Sequence, residues 1–238
     1  MHREHHRWYS HALERDMDLL VIGHAGARML VFPSSMGKFF EWEDQGMARA
    51  LGEQIERGWL QLYCVDSVDA DSWYAKWKWP GDRAAHHLRY EAYIRDEVVP
   101  LSMRNANPFL MTAGASFGAY HAVSFAMRHP HLVRRAIGLS GLYDIREQTG
   151  GYSDANVFAL NPADWTAHTG DTQHLAALQS LELIMAIGRD DPMRPANDRF
   201  SETLWARGVW HAYRVWDGWA HDWPYWQQMI TRYVNGAD

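Results

Sequence analysis

The segment TAGASFG, residues 112–118, decides how this sequence is interpreted. It follows the apolar run PFLM and leads into residues 117–128, whose apolar side chains recur at helical spacing. A strand that turns sharply into a helix leaves no room for side chains beside the turning residue, which explains Gly114 and Gly118 on either side of Ser116. The pattern predicts a serine hydroxyl at a helix N-terminus, where backbone N–H groups favour negative charge. A plain glycine-rich loop is the alternative.

Short apolar runs alternate along the chain with longer segments of helical periodicity. The apolar runs lie within residues 19–33, 59–66, 108–114, 134–141, 181–188 and 209–216, and several are nearly continuous, as in strands covered on both faces. The helical segments are 44–57, 88–99, 117–128 and 196–207, and a last one opens at Asp222, which can cap it, and runs to Val234. This alternation predicts a mostly parallel sheet with helices on both faces. Within residues 19–33, two strands joined by a glycine-containing turn suggest an antiparallel N-terminal edge.

Length and composition fit a single α/β domain over residues 1–238. Hydrophobic residues make up 47% and charged residues 22%, which allows a substantial core and argues against disorder. Residues 143–179 are rich in Gly, Asp, Asn and Thr, with weak periodicity. We expect this stretch to form an excursion over the top of the sheet, without a core of its own.

The charge balance and the single cysteine limit the environment and the partners of the chain. The net charge is -6 and no basic run occurs, so a nucleic-acid partner is not expected. No apolar stretch is long enough to span a membrane, and the N-terminus lacks the apolar segment of a secretory signal. Because Cys64 is the only cysteine, no internal disulfide can form, and a cytoplasmic location is the natural interpretation.

A serine hydroxyl needs a base to become a good nucleophile, and that base needs a carboxylate to orient it. The order Ser, then acid, then His is typical of α/β hydrolases. After Ser116, the run that ends at residue 188 is followed by Asp190 and Asp191, and the last run is followed by His221. Both positions follow strand ends at the edge where ligands bind in open α/β sheets. Asp191 is the favoured acid; Asp190 and Asp144, which follows the preceding strand, remain alternatives.

Acyl transfer through a serine also needs two backbone N–H groups to stabilise the tetrahedral oxyanion. The residue after the nucleophile, Phe117, supplies one of them in this arrangement. The second comes from the loop after an earlier strand, here FPSSMGKFFEWED. Ser35 is the favoured donor and Ser34 the alternative, although "PSSMG" would also suit an ordinary turn.

Aromatic residues and histidines are unusually frequent, with 13 Trp and 14 His. An aromatic side chain in a loop beside the site can line a pocket or simply pack in the core. The favoured pocket candidates are Met36, Phe39, Trp219 and Trp223, and a wider set adds Phe40, Trp42 and Tyr120. His2, His5 and His6 match no metal-site spacing and no cysteine ligands accompany them, so no metal is expected.

Six motifs together resemble the putative esterase family of α/β hydrolases, which includes esterase D-type S-formylglutathione hydrolases, antigen 85-type mycolyltransferases and enterochelin esterases. These motifs are FPSSMGKFFEWEDQGM, LYCVDSVDADSWY, YEAYIRDEVVP, GASFGAYHA, GLSGLYDI and WDGWAHDWPYW, and they extend over nearly the whole chain, from residue 32 to residue 226. The resemblance implies an α/β-hydrolase fold and a serine hydrolase that acts on an ester without a metal or organic cofactor. By position, Ser116 matches the nucleophile, Asp191 the acid, His221 the base, and Ser35 and Phe117 the oxyanion donors.

Three functions are compatible with these residues. The first is a carboxylesterase that cleaves a small soluble ester through an acyl-Ser116 intermediate. The second is an acyltransferase that uses the same triad with an alcohol as the acceptor. The third is a catalytically silent α/β-hydrolase fold used for binding, which the complete set of Ser116, Asp191 and His221 argues against. The oxyanion loop lacks the glycine-containing sequence of several relatives, and no lid segment is apparent, which disfavours long-chain lipids.

Overall fold

An eight-stranded sheet forms the centre of the computed structural model, which describes residues 1–236. The strands are β1 (Arg3–Ser10), β2 (Arg15–Ile22), β3 (Ala27–Phe32), β4 (Leu60–Val65), β5 (Leu110–Ala115), β6 (Arg135–Leu139), β7 (Glu182–Gly188) and β8 (His211–Trp216). They are ordered β1-β2-β4-β3-β5-β6-β7-β8, and all pairings from β4 to β8 are parallel. The predicted mostly parallel sheet is confirmed.

The antiparallel edge of the sheet is made by β1 and β2, which pair from Arg3↔Ile22 to Ser10↔Arg15. An antiparallel N-terminal edge was predicted, but its composition differs from the expectation. The two strands within residues 19–33 do not pair with each other, because β4 lies between β2 and β3. Strand β1 was not recognised, since its mainly polar side chains are mostly exposed at the edge of the sheet.

Helices cover both faces of the sheet. They are α1 (Glu41–Asp44), α2 (Met47–Ala50), α3 (Gly52–Glu56), α4 (Pro80–Tyr93), α5 (Val99–Ser102), α6 (Phe117–Arg128), α7 (Arg146–Thr149), α8 (Ala155–Ala159), α9 (Pro162–His168), α10 (Thr172–Ala177), α11 (Arg194–Ala206) and α12 (Trp223–Tyr233), with a π-helix at Ile94–Val98 and a 3₁₀ turn at Leu178–Ser180. Helices α4, α6 and α11 contribute to one core layer, and α1 to α3 and α12 to the other. None of the helices within residues 1–236 has the length and apolar character needed to cross a membrane.

The two core layers follow from the alternation of side chains along the central strands. In β3, Leu30 and Phe32 face the layer of α4 and α6, while Met29 and Val31 face the layer of α12. Every residue of β5 is buried, because this strand lies between β3 and β6 and is covered on both faces. The nearly continuous apolar runs of the sequence therefore correspond to the middle of the sheet.

The observed helices differ from the predicted segments mainly at their starts. The segment 44–57 is broken into three short helices, with Gly46 in a left-handed conformation at φ 72° between the first two. The segment 88–99 belongs to a longer element that begins at Pro80, a residue suited to the first helical turn. The helix at 117–128 has the predicted bounds, and the Asp222 side chain accepts a hydrogen bond from the Trp223 amide at 2.7 Å at the start of α12.

Residues 143–179 pack beside the N-terminal end of α6. Short helices α7 to α10 form much of this stretch. Ile145, Val157 and Leu160 share a small buried cluster with Phe117 and Tyr120 of α6. The excursion therefore supports the helix that follows Ser116.

Cys64 lies on β4 and is buried in the core layer of α12. Burial raises the pKa of this thiol well above its ordinary value, which keeps it in the neutral form. A buried neutral thiol packs as a small apolar side chain.

Candidate active site

Ser116 lies at a sharp turn between β5 and α6. Its backbone has φ 55° and ψ −121°, a strained conformation for a residue other than glycine. A Cβ atom on Gly114 would overlap the carbonyl group of Gly118, and one on Gly118 would overlap the carbonyl oxygens of Phe32 and Pro33. The two glycines are therefore required by close backbone approach, and the strand–turn–helix arrangement places the Ser116 hydroxyl at the start of the helix.

The His221 ring lies between Ser116 and Asp191. Its Nε2 atom is 3.2 Å from Ser116 Oγ, and its Nδ1 atom is 2.6 Å from Asp191 Oδ2. Asp191 is buried, and its other oxygen accepts a hydrogen bond from the Met193 amide at 2.9 Å. Ser116 and His221 are 105 residues apart in sequence, and the sheet brings them together because each follows the carboxyl end of a strand.

The alternative carboxylates lie elsewhere. Asp190 is exposed, and its backbone N–H donates a hydrogen bond to the Gly218 carbonyl oxygen at 3.0 Å. Asp144 forms an ion pair with Arg146 and accepts a hydrogen bond from Asn161 at 3.1 Å. Asp191 is the carboxylate that contacts the His221 ring.

The two backbone amides predicted as oxyanion donors have no hydrogen-bond acceptor within residues 1–236. Phe117 is the first residue of α6, so its N–H has no partner within the helix. In the loop after β3, the Ser34 amide donates to Glu41 Oε2 at 2.7 Å and the Met36 amide donates to Asp69 Oδ2 at 3.0 Å. The amide of Ser35, between them, remains available. Of the two predicted alternatives, Ser35 is the one whose N–H is not already bound.

The loop that carries Ser35 packs against the start of α6. The Tyr74 hydroxyl donates to Ser35 Oγ at 2.7 Å, and the Tyr74 ring packs edge-on against the Phe117 ring at 5.3 Å. Strands β3 and β5 are also direct neighbours, with Phe32 opposite Gly114. The loop after β3 and the turn at Ser116 therefore lie side by side.

The predicted pocket residues occupy different environments. Trp219 is 51% exposed and stacks on the His221 ring at 5.6 Å, and Met36 is exposed next to Ser35. Phe39 stacks on His5 at 5.0 Å, and Trp223 packs edge-on against Trp226 at 4.9 Å. Of the wider set, Phe40 is exposed, but Trp42 and Tyr120 are fully buried and cannot line an open pocket. Their large apolar surfaces serve the core.

Several residues that position the site were missed in the sequence. The Ser140 hydroxyl donates to the carbonyl oxygen of Ala220 at 3.0 Å, and Trp226 Nε1 donates to Ser140 Oγ at 3.0 Å. Ala220 itself has φ 45°, so this hydrogen bond supports a strained backbone directly before His221. Ser140 lies within the motif GLSGLYDI, but nothing in that motif indicates a role for its side chain, because a serine after a strand is common in turns.

The N-terminal histidines pair with carboxylates of the same hairpin. His2 and His6 contact the two oxygens of Glu4 at 2.6 and 2.9 Å, and His5 contacts Asp18 at 2.7 Å. Over the described residues 1–236, no group of three or more His, Cys, Asp or Glu side chains is arranged to hold a metal ion.

Comparison with known proteins agrees with this fold. A profile of the family described as "Putative esterase" matches residues 42–236. A structure described as a ferulic acid esterase superposes with a TM-score of 0.79 at 16% identity, covering 98% of this chain and 96% of that chain. A structure of an S-formylglutathione hydrolase from Agrobacterium tumefaciens superposes with a TM-score of 0.73 at 13% identity, covering 98% of this chain and 93% of that chain. The structure of MPT51 from Mycobacterium tuberculosis superposes with a TM-score of 0.69 at 14% identity, covering 99% of this chain and 97% of that chain. A search among curated proteins gives no significant match.

The fold and the family match define a serine esterase of the α/β-hydrolase class. The family profile covers most of the chain, including the turn at Ser116 and the loops that carry Asp191 and His221. The chain belongs to the Putative esterase family, as the resemblance of its motifs predicted.

Proposed function

We propose that this protein is a carboxylesterase in which Ser116 is the nucleophile, His221 the general base and Asp191 the acid that orients the imidazole. The observation that carries the proposal is the continuous chain of contacts from Ser116 Oγ through both nitrogens of His221 to Asp191 Oδ2, at 3.2 and 2.6 Å. Asp191 accepts from Nδ1–H, which leaves Nε2 free to accept the serine proton. The tautomer follows from this hydrogen-bond pattern.

The reaction has two steps, acylation of Ser116 and hydrolysis of the acyl-serine, and His221 transfers the proton in both. Ser116 Oγ attacks the ester carbon while its proton moves to His221 Nε2, and the carbonyl electrons move to oxygen. The tetrahedral species collapses, and the leaving alcohol takes the proton from His221. Water then attacks the acyl-serine by the same route, which releases the carboxylic acid and restores Ser116.

The amides of Phe117 and Ser35 are the proposed oxyanion donors. Phe117 N–H lies at the helix N-terminus, where the dipole also stabilises negative charge. Ser35 N–H is free of other acceptors within residues 1–236 and belongs to the loop beside the serine turn. Two such donors stabilise the charge that forms in the transition state, which is where the rate acceleration arises.

We infer that the substrate is a small ester whose bound portion contacts the exposed faces of Trp219 and Met36. Trp219 stacks on the catalytic imidazole, so its indole ring forms a flat apolar wall next to the reacting bond. A planar or ring-bearing group fits such a wall well. The similar structure described as a ferulic acid esterase supports the inclusion of aryl esters among the test substrates.

Replacement of the proposed nucleophile tests the function. We expect Ser116→Ala to lower kcat/KM for p-nitrophenyl acetate, p-nitrophenyl butyrate and an aryl methyl ester by about 10⁴-fold or more, because the covalent route is lost. Ser124→Ala, the same substitution farther along α6, is the control and keeps near-normal activity. A fluorophosphonate probe labels the wild-type serine and fails to label Ser116→Ala. Full activity of Ser116→Ala would overturn the proposal.

A further inference from the structure

Asp69 is a fully buried carboxylate with a hydrogen bond on each oxygen. It lies in the loop after β4. Oδ1 is 2.9 Å from His121 Nε2, and Oδ2 accepts from the Met36 amide at 3.0 Å. The carboxylate thus joins two elements that are distant in sequence, and neither contact belongs to the Ser116–His221–Asp191 chain.

The two partners of Asp69 lie on the two parts of the proposed oxyanion hole. His121 is on α6, the helix that begins directly after Ser116 and whose first amide is that of Phe117. Met36 directly follows Ser35, and its backbone is left-handed at φ 60°. Asp69 therefore fixes the loop after β3 relative to the nucleophile's helix.

A second carboxylate holds the other side of Ser35. Glu41 accepts from both the amide and the hydroxyl of Ser34, each at 2.7 Å. With Ser34 bound to Glu41 and Met36 bound to Asp69, the intervening amide of Ser35 cannot rotate freely. Asp69 is buried and Glu41 is half-buried. Hydrogen bonds to carboxylates are stronger than those between neutral groups, so the two contacts restrict this loop.

We propose that Asp69 is a positioning residue for the oxyanion hole: through Met36 it sets the direction of the Ser35 N–H, and through His121 it fixes that direction relative to Ser116. The inference rests on the proposed function. An oxyanion donor lowers the barrier only if it already points to the place where the charge forms, because reorientation during the reaction costs the same energy that the hydrogen bond would supply. Asp69 touches neither substrate nor the reacting atoms in this account.

Asp69→Asn is the direct test. Asparagine has nearly the same shape, but it has a single acceptor oxygen and no charge, so it cannot accept from both His121 and Met36. We expect kcat to fall by about 10²-fold, the usual effect of losing one oxyanion donor, while KM changes by less than about threefold. The affinity for a trifluoromethyl ketone, whose adduct with the serine carries an oxyanion, should fall in parallel with kcat/KM, whereas the affinity for the carboxylic acid product should not change.

Glu91→Gln is the matched control. Glu91 is also buried and also binds a histidine at the end of the same helix, His129, at 2.7 Å, but its hydrogen bonds go to Arg128 and His129 and none reaches residues 33–40 of the loop after β3. We expect this variant to have a lower free energy of unfolding but an unchanged kcat, when kcat is calculated per active site titrated with a fluorophosphonate. An equal loss of kcat in both variants would show that Asp69 acts only through general stability and would overturn the inference.

The second pair of variants decides the question if Asp69→Asn does not fold. His121→Gln retains a donor towards Asp69, and His121→Phe does not; we expect the first to keep several-fold more kcat than the second. Equal activity of the two overturns the inference, as does wild-type kcat in a folded Asp69→Asn. If either of these outcomes is found while Ser116→Ala is inactive, the inference about Asp69 is wrong but the proposed function stands. An active Ser116→Ala overturns the proposed function itself.

Discussion

Two adjacent aspartates, Asp190 and Asp191, have different environments. The peptide between them turns at the end of β7, so Asp191 points into the buried site while Asp190 is exposed. We expect Asp191→Asn to lower kcat by about 10⁴-fold, because the amide favours the wrong tautomer of His221. Asp190→Asn removes the same charge one residue away and should change kcat by less than about threefold. Steady-state kinetics of both variants check this, and a reversed order would assign the role to Asp190.

The residues of the proposed triad could be predicted from sequence because each follows an apolar strand that ends at the same edge. Ser116 also has its glycines, which are local and visible in the sequence. Asp69, Glu41 and Ser140 could not be predicted in the same way. The partners of Asp69 and Ser140 are distant in sequence, and Asp69 reaches His121 across 52 residues. Glu41 binds Ser34, seven residues away, but this contact depends on the conformation of the loop between them.

At the level of elements, the passage from β5 to α6 depends on two glycines. Gly118→Ala would place a methyl group on the carbonyl oxygens of Phe32 and Pro33, so strand β3 and helix α6 must separate or the turn must change. We expect an unfolding free energy lower by about 2–4 kcal/mol, in the range of strained or overpacked core substitutions, with loss of activity.

Gly52→Ala is the control for this substitution. Gly52 lies in α3, and a Cβ atom there would meet nothing within 4 Å. Alanine should leave activity unchanged and stabilise the protein by about 0.4–1 kcal/mol, because it restricts the unfolded chain. Denaturant unfolding of both variants measures the contrast. A Gly118→Ala variant as stable as Gly52→Ala would show that the turn relaxes at little cost.

The elements themselves could be predicted unevenly from sequence. The buried strands were visible as apolar runs, and α6 was bounded by Ser116 and by His129-Pro130. Strand β1 was missed because an edge strand with polar side chains has no apolar run, and its register is set by pairing with β2. The order of β2, β4 and β3 was also beyond prediction, because it depends on tertiary crossing and not on local sequence.

At the level of the whole molecule, the contacts of Glu91 connect helix α4 with the C-terminal end of α6 and, through Arg128, with α8. Glu91 lies on α4 and binds Arg128 at 2.8 Å and His129 at 2.7 Å, and Arg128 donates in turn to the Ala159 carbonyl oxygen at 3.1 Å on α8. Burial alone would raise the pKa of Glu91, but the hydrogen bonds and charges of His129 and Arg128 outweigh it and lower that pKa below its ordinary value.

Glu91→Gln should therefore lower the unfolding free energy at neutral pH by about 3–5 kcal/mol, because Arg128 and His129 lose their buried partner. A lowered pKa in the folded state stabilises the protein above the unfolded pKa, near 4.5, and this contribution disappears as the pH falls through the folded value. The difference in unfolding free energy between the wild type and Glu91→Gln should therefore become smaller below a pH of about 4. Denaturant titrations at several pH values check this; a constant difference would contradict it.

The burial of Cys64 has a practical consequence for studying this molecule. Thiol-specific reagents should leave the native chain untouched, because the sulfur is sealed between strand and helix and its reactive anion is suppressed. A cysteine introduced at the highly exposed Trp77, in the same loop as Asp69, would then be the unique attachment point for a dye or spin label. Movements of that loop during turnover could be followed spectroscopically without first engineering a cysteine-free background.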